Sequence, residues 1–156
     1  MEPIYLHLTS VHVPVVGVGF TLFVLIYALA RRSAEVARVG MWMAVGVALF
    51  TVVAYQSGES AEDAAEELPG VTDAWIEPHE EIAETALGVT IAAGVVALAG
   101  LVFSWRRRGR VPSWVTGVVL VPVLASVVLL IWTAQRGGQI RHTEIRKLDP
   151  PPAAAH

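Results

Sequence analysis

Long apolar runs alternate along this chain with short clusters of charge. The first run, Val11 to Ala30, contains no Asp, Glu, Lys or Arg and ends at Arg31-Arg32. A second covers about residues 39–55. A third, about 82–105, stops at Arg106-Arg107-Arg108-Gly109-Arg110. A fourth, about 114–134, stops at Gln135-Arg136-Gly137-Gly138. A helix needs roughly 20 apolar residues to cross a bilayer core. The pattern therefore predicts four spanning helices, the short second one extending into its flanks. The fold class it implies is all-α: an integral membrane, antiparallel four-helix bundle, one domain over residues 1–156.

The pieces between the spans are short except for the loop at about 56–81. Ser60-Ala61-Glu62-Asp63 has the pattern of a capping box, and predicts a short helix through Leu68 closed by Pro69-Gly70. Trp75 and Ile76 are available to lie on the membrane surface. Pro78 suits the first turn of the third helix, which then carries His79, Glu80, Glu81 and Glu84 beyond the hydrocarbon. The tail, 138–156, is polar, and Asp149-Pro150-Pro151-Pro152 cannot continue a helix. Gly137-Gly138 reads as a helix stop, or as a turn bringing His142 back over the bundle. No internal repeat is evident.

Charge gives the orientation. Arg31, Arg32 and Arg38 lie in the first inter-span loop, and Arg106, Arg107, Arg108 and Arg110 in the third. Short basic loops stay cytoplasmic, which places both termini and the acidic loop on the outer, non-cytoplasmic side of the membrane. Trp42, Trp105, Trp114 and Trp132 fall where an interfacial aromatic belt would put them. Mean hydropathy is +0.58 and charged residues make up 16% of the chain, against about 25% in soluble domains. There is no cysteine, which excludes disulfides, thiolate metal sites, iron–sulfur clusters and covalently attached c-type haem. The N-terminus lacks the basic region of a cleavable signal.

Apart from Glu84 at the outer start of the third, the spans hold no Asp, Glu, Lys or Arg, which argues against proton pumps and ion-coupled transporters. Thr21, Thr51, Thr90 and Ser126 are expected to bond back to their own helices or across to a neighbour. Gly88, Ala92, Ala93, Ala97 and Gly100 give the third helix small faces suited to close packing. All five histidines lie on the outer side: His7, His12, His79, His142 and the terminal His156. An antiparallel bundle brings the outer helix ends together, so residues distant in sequence can meet there. Imidazole is a common haem and metal ligand, and a few histidines with a carboxylate suit zinc, iron or copper. His7, His12, His79 and His142, with Glu80 and Glu84, are therefore the candidate ligands of b-type haem or a transition metal ion. His7 and His12 diverge by about 140° on a regular helix, so sharing one site requires an irregular chain near Thr9-Ser10 and Pro14. Ten carboxylates between Glu59 and Glu84 form an acidic outer face, solvated or able to dock a basic redox protein. The basic clusters are short stop-transfer loops and give no support for nucleic-acid binding.

Leu6-His7-Leu8-Thr9-Ser10-Val11-His12-Val13-Pro14 resembles the "LHP-x-x-VHFP" signature of the bacterial DUF2231 membrane proteins. Ser57-Gly58-Glu59, Leu68-Pro69-Gly70-Val71 and His79-Glu80-Glu81 resemble that family's loop into its third helix, and Gly137-Gly138-Gln139-Ile140-Arg141-His142 its C-terminal glycine-pair motif. Leu8 departs from the usual Pro, and Val13 from the frequent Phe. The resemblance implies that His7, His12, His79 and His142 occupy motif positions. It also implies kinship with membrane subunits joined to cytochrome-like domains, and hence electron transfer. The other expectation is a non-catalytic scaffold or accessory subunit of a larger membrane complex.

Overall fold

The computed structural model describes residues 2–68, 70–142 and 145–146. Among them there are helices and no strand. Helix α1 spans Glu2–Ser10 and α2 His12–Arg31. Val11, which separates them, has helical dihedrals. Its N–H donates to the His7 carbonyl and its own carbonyl accepts from Val15. The two segments therefore run on as nearly one rod. Thr9 and Ser10 do not break the rod, because their hydroxyls turn back onto the carbonyls of Tyr5, Leu6 and His7. The irregularity expected between His7 and His12 is absent.

Helix α3 spans Ala34–Glu59, its first turn capped by the Ser33 hydroxyl, which accepts from the Val36 N–H. Short α4, Glu62–Glu66, follows, in place of the longer helix expected through Leu68. Helix α5 runs Asp73–Arg106 and α6 runs Ser113–Arg141. At 34 residues α5 is roughly 50 Å long at 1.5 Å per residue, well beyond a ~30 Å hydrocarbon core.

Several sequence expectations change here. Helix α5 begins five residues before Pro78, so that proline lies inside the helix. The carbonyl it leaves unmatched in the ladder, that of Ala74, belongs to an exposed residue in the first turn, where water can serve it. Trp75 and Ile76 are helical instead of lying on a surface connection, and Ile76 is buried. Gly137 and Gly138 neither stop α6 nor turn the chain; the helix continues to Arg141. The Pro-rich tail and His156 lie outside the described residues.

Helices α2, α3, α5 and α6 pack in a ring in that order, with α6 closing against α2 and little contact across the diagonals. The buried line between them is made of small and medium side chains: Ala28, Ala37, Ala44, Ala86, Ala93 and Ala97 among larger Leu25, Met41, Val119 and Val123. The outward faces carry Phe20, Phe23, Leu49, Val95 and Val121, each at least 60% exposed. A soluble monomer does not expose apolar patches that extensive, whereas lipid-facing helices do, with small residues reserved for close helix contact. All four long helices are apolar and long enough to cross a membrane. Thr21, Thr51 and Ser126 bond back to Gly17, Val47 and Pro122 of their own helices, as expected. Thr90 does not; its buried hydroxyl has no hydrogen-bond partner among the described residues.

Candidate functional site: two anchored imidazoles

One end of the bundle carries the arginine-rich turns and the other the histidines. At the arginine end, Arg108 and Gly109 take positive φ, and the Arg38 guanidinium donates to the Gly109 carbonyl. That contact binds the two basic turns together.

At the histidine end, His7 projects from α1 against α3. Its Nδ1 lies 3.0 Å from the Ala54 carbonyl oxygen and 3.3 Å from the Ser57 hydroxyl. A carbonyl only accepts, so Nδ1 carries the proton, and in the neutral ring Nε2 holds the lone pair. The Ser57 hydroxyl donates to the same carbonyl at 2.8 Å and stands 3.0 Å from the Ser10 hydroxyl. The imidazole lies over Gly58: a Cβ there would stand 3.0 Å from His7 Cε1.

His79 projects from α5 against α6 in the same manner. Its Nδ1 lies 3.0 Å from the Thr133 carbonyl oxygen. A Cβ on Gly137 would stand 3.0 Å from His79 Cε1. Glycine is required at neither position for backbone conformation, since neither has positive φ; it allows the close approach of a ring to bare helix, which a Cβ would push back by a few tenths of an ångström.

Burial pushes both imidazoles below the usual histidine range, and the bond to Ala54 or Thr133 opposes it only in part. For His79, positive charge on His7 is a further cause. The two rings are thus electrostatic neighbours, and both are neutral at pH 7 by the sign of these effects.

The other expected ligands stand apart from this pair. His12 is exposed, its Nδ1 bonded to the Leu8 carbonyl of its own helix at 2.7 Å. His142 is exposed at the end of α6. Glu80 and Glu84 are exposed on α5. Partial burial raises the Glu80 carboxyl, as do a hydrogen bond and charge from Glu62 and the charges of Glu59 and Glu66. Glu80 therefore belongs to the acidic surface. Among the described residues no three of the histidines, aspartates and glutamates form a metal-ligand group. The structure places His7 and His79 at the same end of the bundle, and among the described residues gathers no common ligand shell from them and His12, His142, Glu80 and Glu84.

Sequence reasoning missed Ser57, the carbonyls of Ala54 and Thr133, and the reason for Gly58 and Gly137. One signal was available: α3 and α6 both carry Gln-x-Gly in their C-terminal parts, at Gln56-Ser57-Gly58 and Gln135-Arg136-Gly137. It also missed Arg146. That guanidinium donates to the carbonyls of Gln139, Ile140 and Gly70 at 2.7, 2.6 and 2.8 Å, and lies 4.7 Å over the Trp75 ring. It ties the end of α6 to the start of α5 beside the histidines.

These features define an integral membrane four-helix bundle with a pair of carbonyl-anchored imidazoles at one end. Residues 3–144 match the family model described as a predicted membrane protein, DUF2231, and the chain belongs to that family. No curated protein and no solved structure matches it.

Proposed function

We propose that the histidine end is a cofactor site on the periplasmic face of a bacterial inner membrane, and that it serves electron transfer through b-type haem. The observation that carries this is the state of the two imidazoles. Each donates from Nδ1 to a backbone carbonyl, which fixes the ring and raises the basicity of Nε2, as in metal-ligating histidines generally. Two such donors, with no third ligand among the described residues, are too few for an all-protein zinc or copper site. They suffice for haem iron, whose macrocycle fills the equatorial positions. Bound haem would supply one-electron chemistry that this chain's side chains lack. His7 and His79 would hold it, and the neighbouring carbonyls would keep both rings in the ligating tautomer. The acidic surface around Glu62 and Glu80 would present negative charge to a basic redox partner.

The full chain, purified from membranes grown with haem precursor, is expected to show a Soret band and about one iron per chain. His7→Ala or His79→Ala should abolish it, and His12→Ala or His142→Ala should leave it. A protein with neither a Soret band nor stoichiometric metal would remove this reading.

A second reading has a specific observation in its favour. Each Nδ1 bond already joins two helices, so the histidines can act as staples in a scaffold or accessory subunit of a larger complex. That reading predicts a stable co-purifying partner, no cofactor, and a complex that survives His79→Ala.

A further inference from the structure

The two histidine units correspond atom by atom. A Cβ on Gly58 would stand 3.0, 3.2 and 3.8 Å from Cε1, Nδ1 and Nε2 of His7. A Cβ on Gly137 would stand 3.0, 3.3 and 3.7 Å from the same atoms of His79. In each unit the accepting carbonyl belongs to the residue four before the glycine, Ala54 or Thr133, and its distance is 3.0 Å in both.

The correspondence extends down the bundle. At the 72-residue offset separating His7 from His79, buried Pro14, Val18, Thr21, Leu25 and Ala28 of α2 fall on buried Ala86, Thr90, Ala93, Ala97 and Gly100 of α5. The offset separating Gly58 from Gly137 is 79. Under it, buried Ala37, Gly40, Ala44, Val47 and Thr51 of α3 fall on buried Thr116, Val119, Val123, Ser126 and Leu130 of α6. The extra seven residues lie at the arginine end, three in a longer α5 and four in the longer turn between α5 and α6. Both α2 and α5 run from the histidine end to the arginine end, so the two hairpins are parallel repeats about an axis along the bundle. Repeats of this kind are common in membrane folds and place sites at the interface between halves.

We propose that the chain is one helical hairpin used twice, and that Gly58 and Gly137 are equivalent positioning residues, each seating one imidazole of a shared, two-fold site. The two halves then offer like donors: two Nε2 lone pairs of the same tautomer, one from each repeat. This deepens the reading above, but its test is read with nothing bound.

Full-length protein labelled with nitrogen-15 at histidine, in lipid nanodiscs at pH 8, reports each ring's tautomer and Nδ1–H exchange by NMR. His7 and His79 should both show the Nδ1–H tautomer. Gly58→Ala should alter His7 alone and Gly137→Ala should alter His79 alone, to a similar extent. A hydrogen bond contributes about 1 kcal/mol net, so exchange at the affected ring should quicken roughly five- to tenfold. Gly117→Ala on α6, whose Cβ would meet nothing within 4 Å, should alter neither. The proposal is overturned if the two unmodified rings differ in tautomer, which needs no variant to fold. It is equally overturned if Gly137→Ala leaves His79 unmoved while Gly58→Ala shifts His7, or if Gly117→Ala moves either ring. Loss of haem binding with these signatures intact would sink the cofactor reading and leave this one standing.

Discussion

The two hairpins share a plan and differ in how they fill it. In the first, the wide residue is on the entering helix and the narrow one on the returning helix: Leu25 lies over Gly40, whose Cβ would meet Leu25 Cδ2 at 2.7 Å. In the second the sizes are exchanged, with Ala97 and Gly100 on α5 and Val115, Val119 and Val123 on α6. The histidine units differ likewise. The Ala54 carbonyl beside His7 also accepts from Ser57, while Arg136 stands at the matching position beside His79. Steric complementarity is thus conserved within each hairpin while residue identity is not. A packed interior constrains the summed volume at a contact more tightly than it constrains either partner.

The joints between halves give the largest test. On the α3–α5 side, a Cβ on Gly94 would stand 2.6 Å from the Ala48 Cβ. Its counterpart at the 72-residue offset is Leu22, partly buried on α2 against the core. Gly94→Leu should lower stability by about 3 kcal/mol, at the upper end of overpacking costs. Leu22→Ala should cost about 1–2 kcal/mol, since only part of a buried leucine's contribution is at stake there. Denaturant midpoints in mild detergent measure both. Equal tolerance of the two changes would mean that the halves meet with the same looseness on both sides, against the geometry at Gly94.

The next effect separates the histidines. His79→Ala removes an interhelical bond and leaves a hole beside Gly137; the loss should be about 2 kcal/mol. At the other site the Ser57 hydroxyl still serves the Ala54 carbonyl after His7→Ala, and the loss should be nearer 1 kcal/mol. The same unfolding assay ranks them. A larger loss at His7 would show that the Ser10–Ser57 pair depends on the imidazole instead of substituting for it.

The four helices were legible because apolar runs closed by arginines depend only on the solvent. Their ends were less so. Beyond the apolar runs, α5 and α6 continue through residues that normally punctuate chains, Pro78 and Gly137-Gly138. Tertiary contacts hold them there: Arg146 on the carbonyls of Gln139 and Ile140, and His79 on Gly137. Histidine at one end of the bundle was visible as chemistry. Its partners were not, because a backbone carbonyl is supplied by every residue and marked by none. The repeat was hidden for the reason already argued. Pro14 answers to Ala86, Leu25 to Ala97 and Gly40 to Val119, so burial repeats where letters do not. His7 with His79, and Gln-x-Gly with Gln-x-Gly, were too few to stand out from the sequence alone.

The smallest expected effect is a pH dependence, and its sign follows from the two depressed imidazoles. In the unfolded chain a histidine takes up its proton near pH 6.5. In the folded protein burial holds His7 and His79 lower, and the charge of one opposes the charge of the other. Above pH 6.5 both states are neutral and the full stability is present. As pH falls below that value the unfolded chain binds protons first, so stability declines. The decline levels off only once the folded rings are themselves protonated. Other groups titrate in acid, Glu80 among them, so the informative quantity is a difference between proteins. The stability of wild type minus that of His79→Gln should be constant from pH 8 to about 6.5 and shrink on further acidification. A curve of the same sign is expected for His7→Gln, because burial lowers that imidazole too. A difference that grows in acid would place a charged, paired imidazole at position 79, and the neutral donor on which the symmetric site depends would be gone.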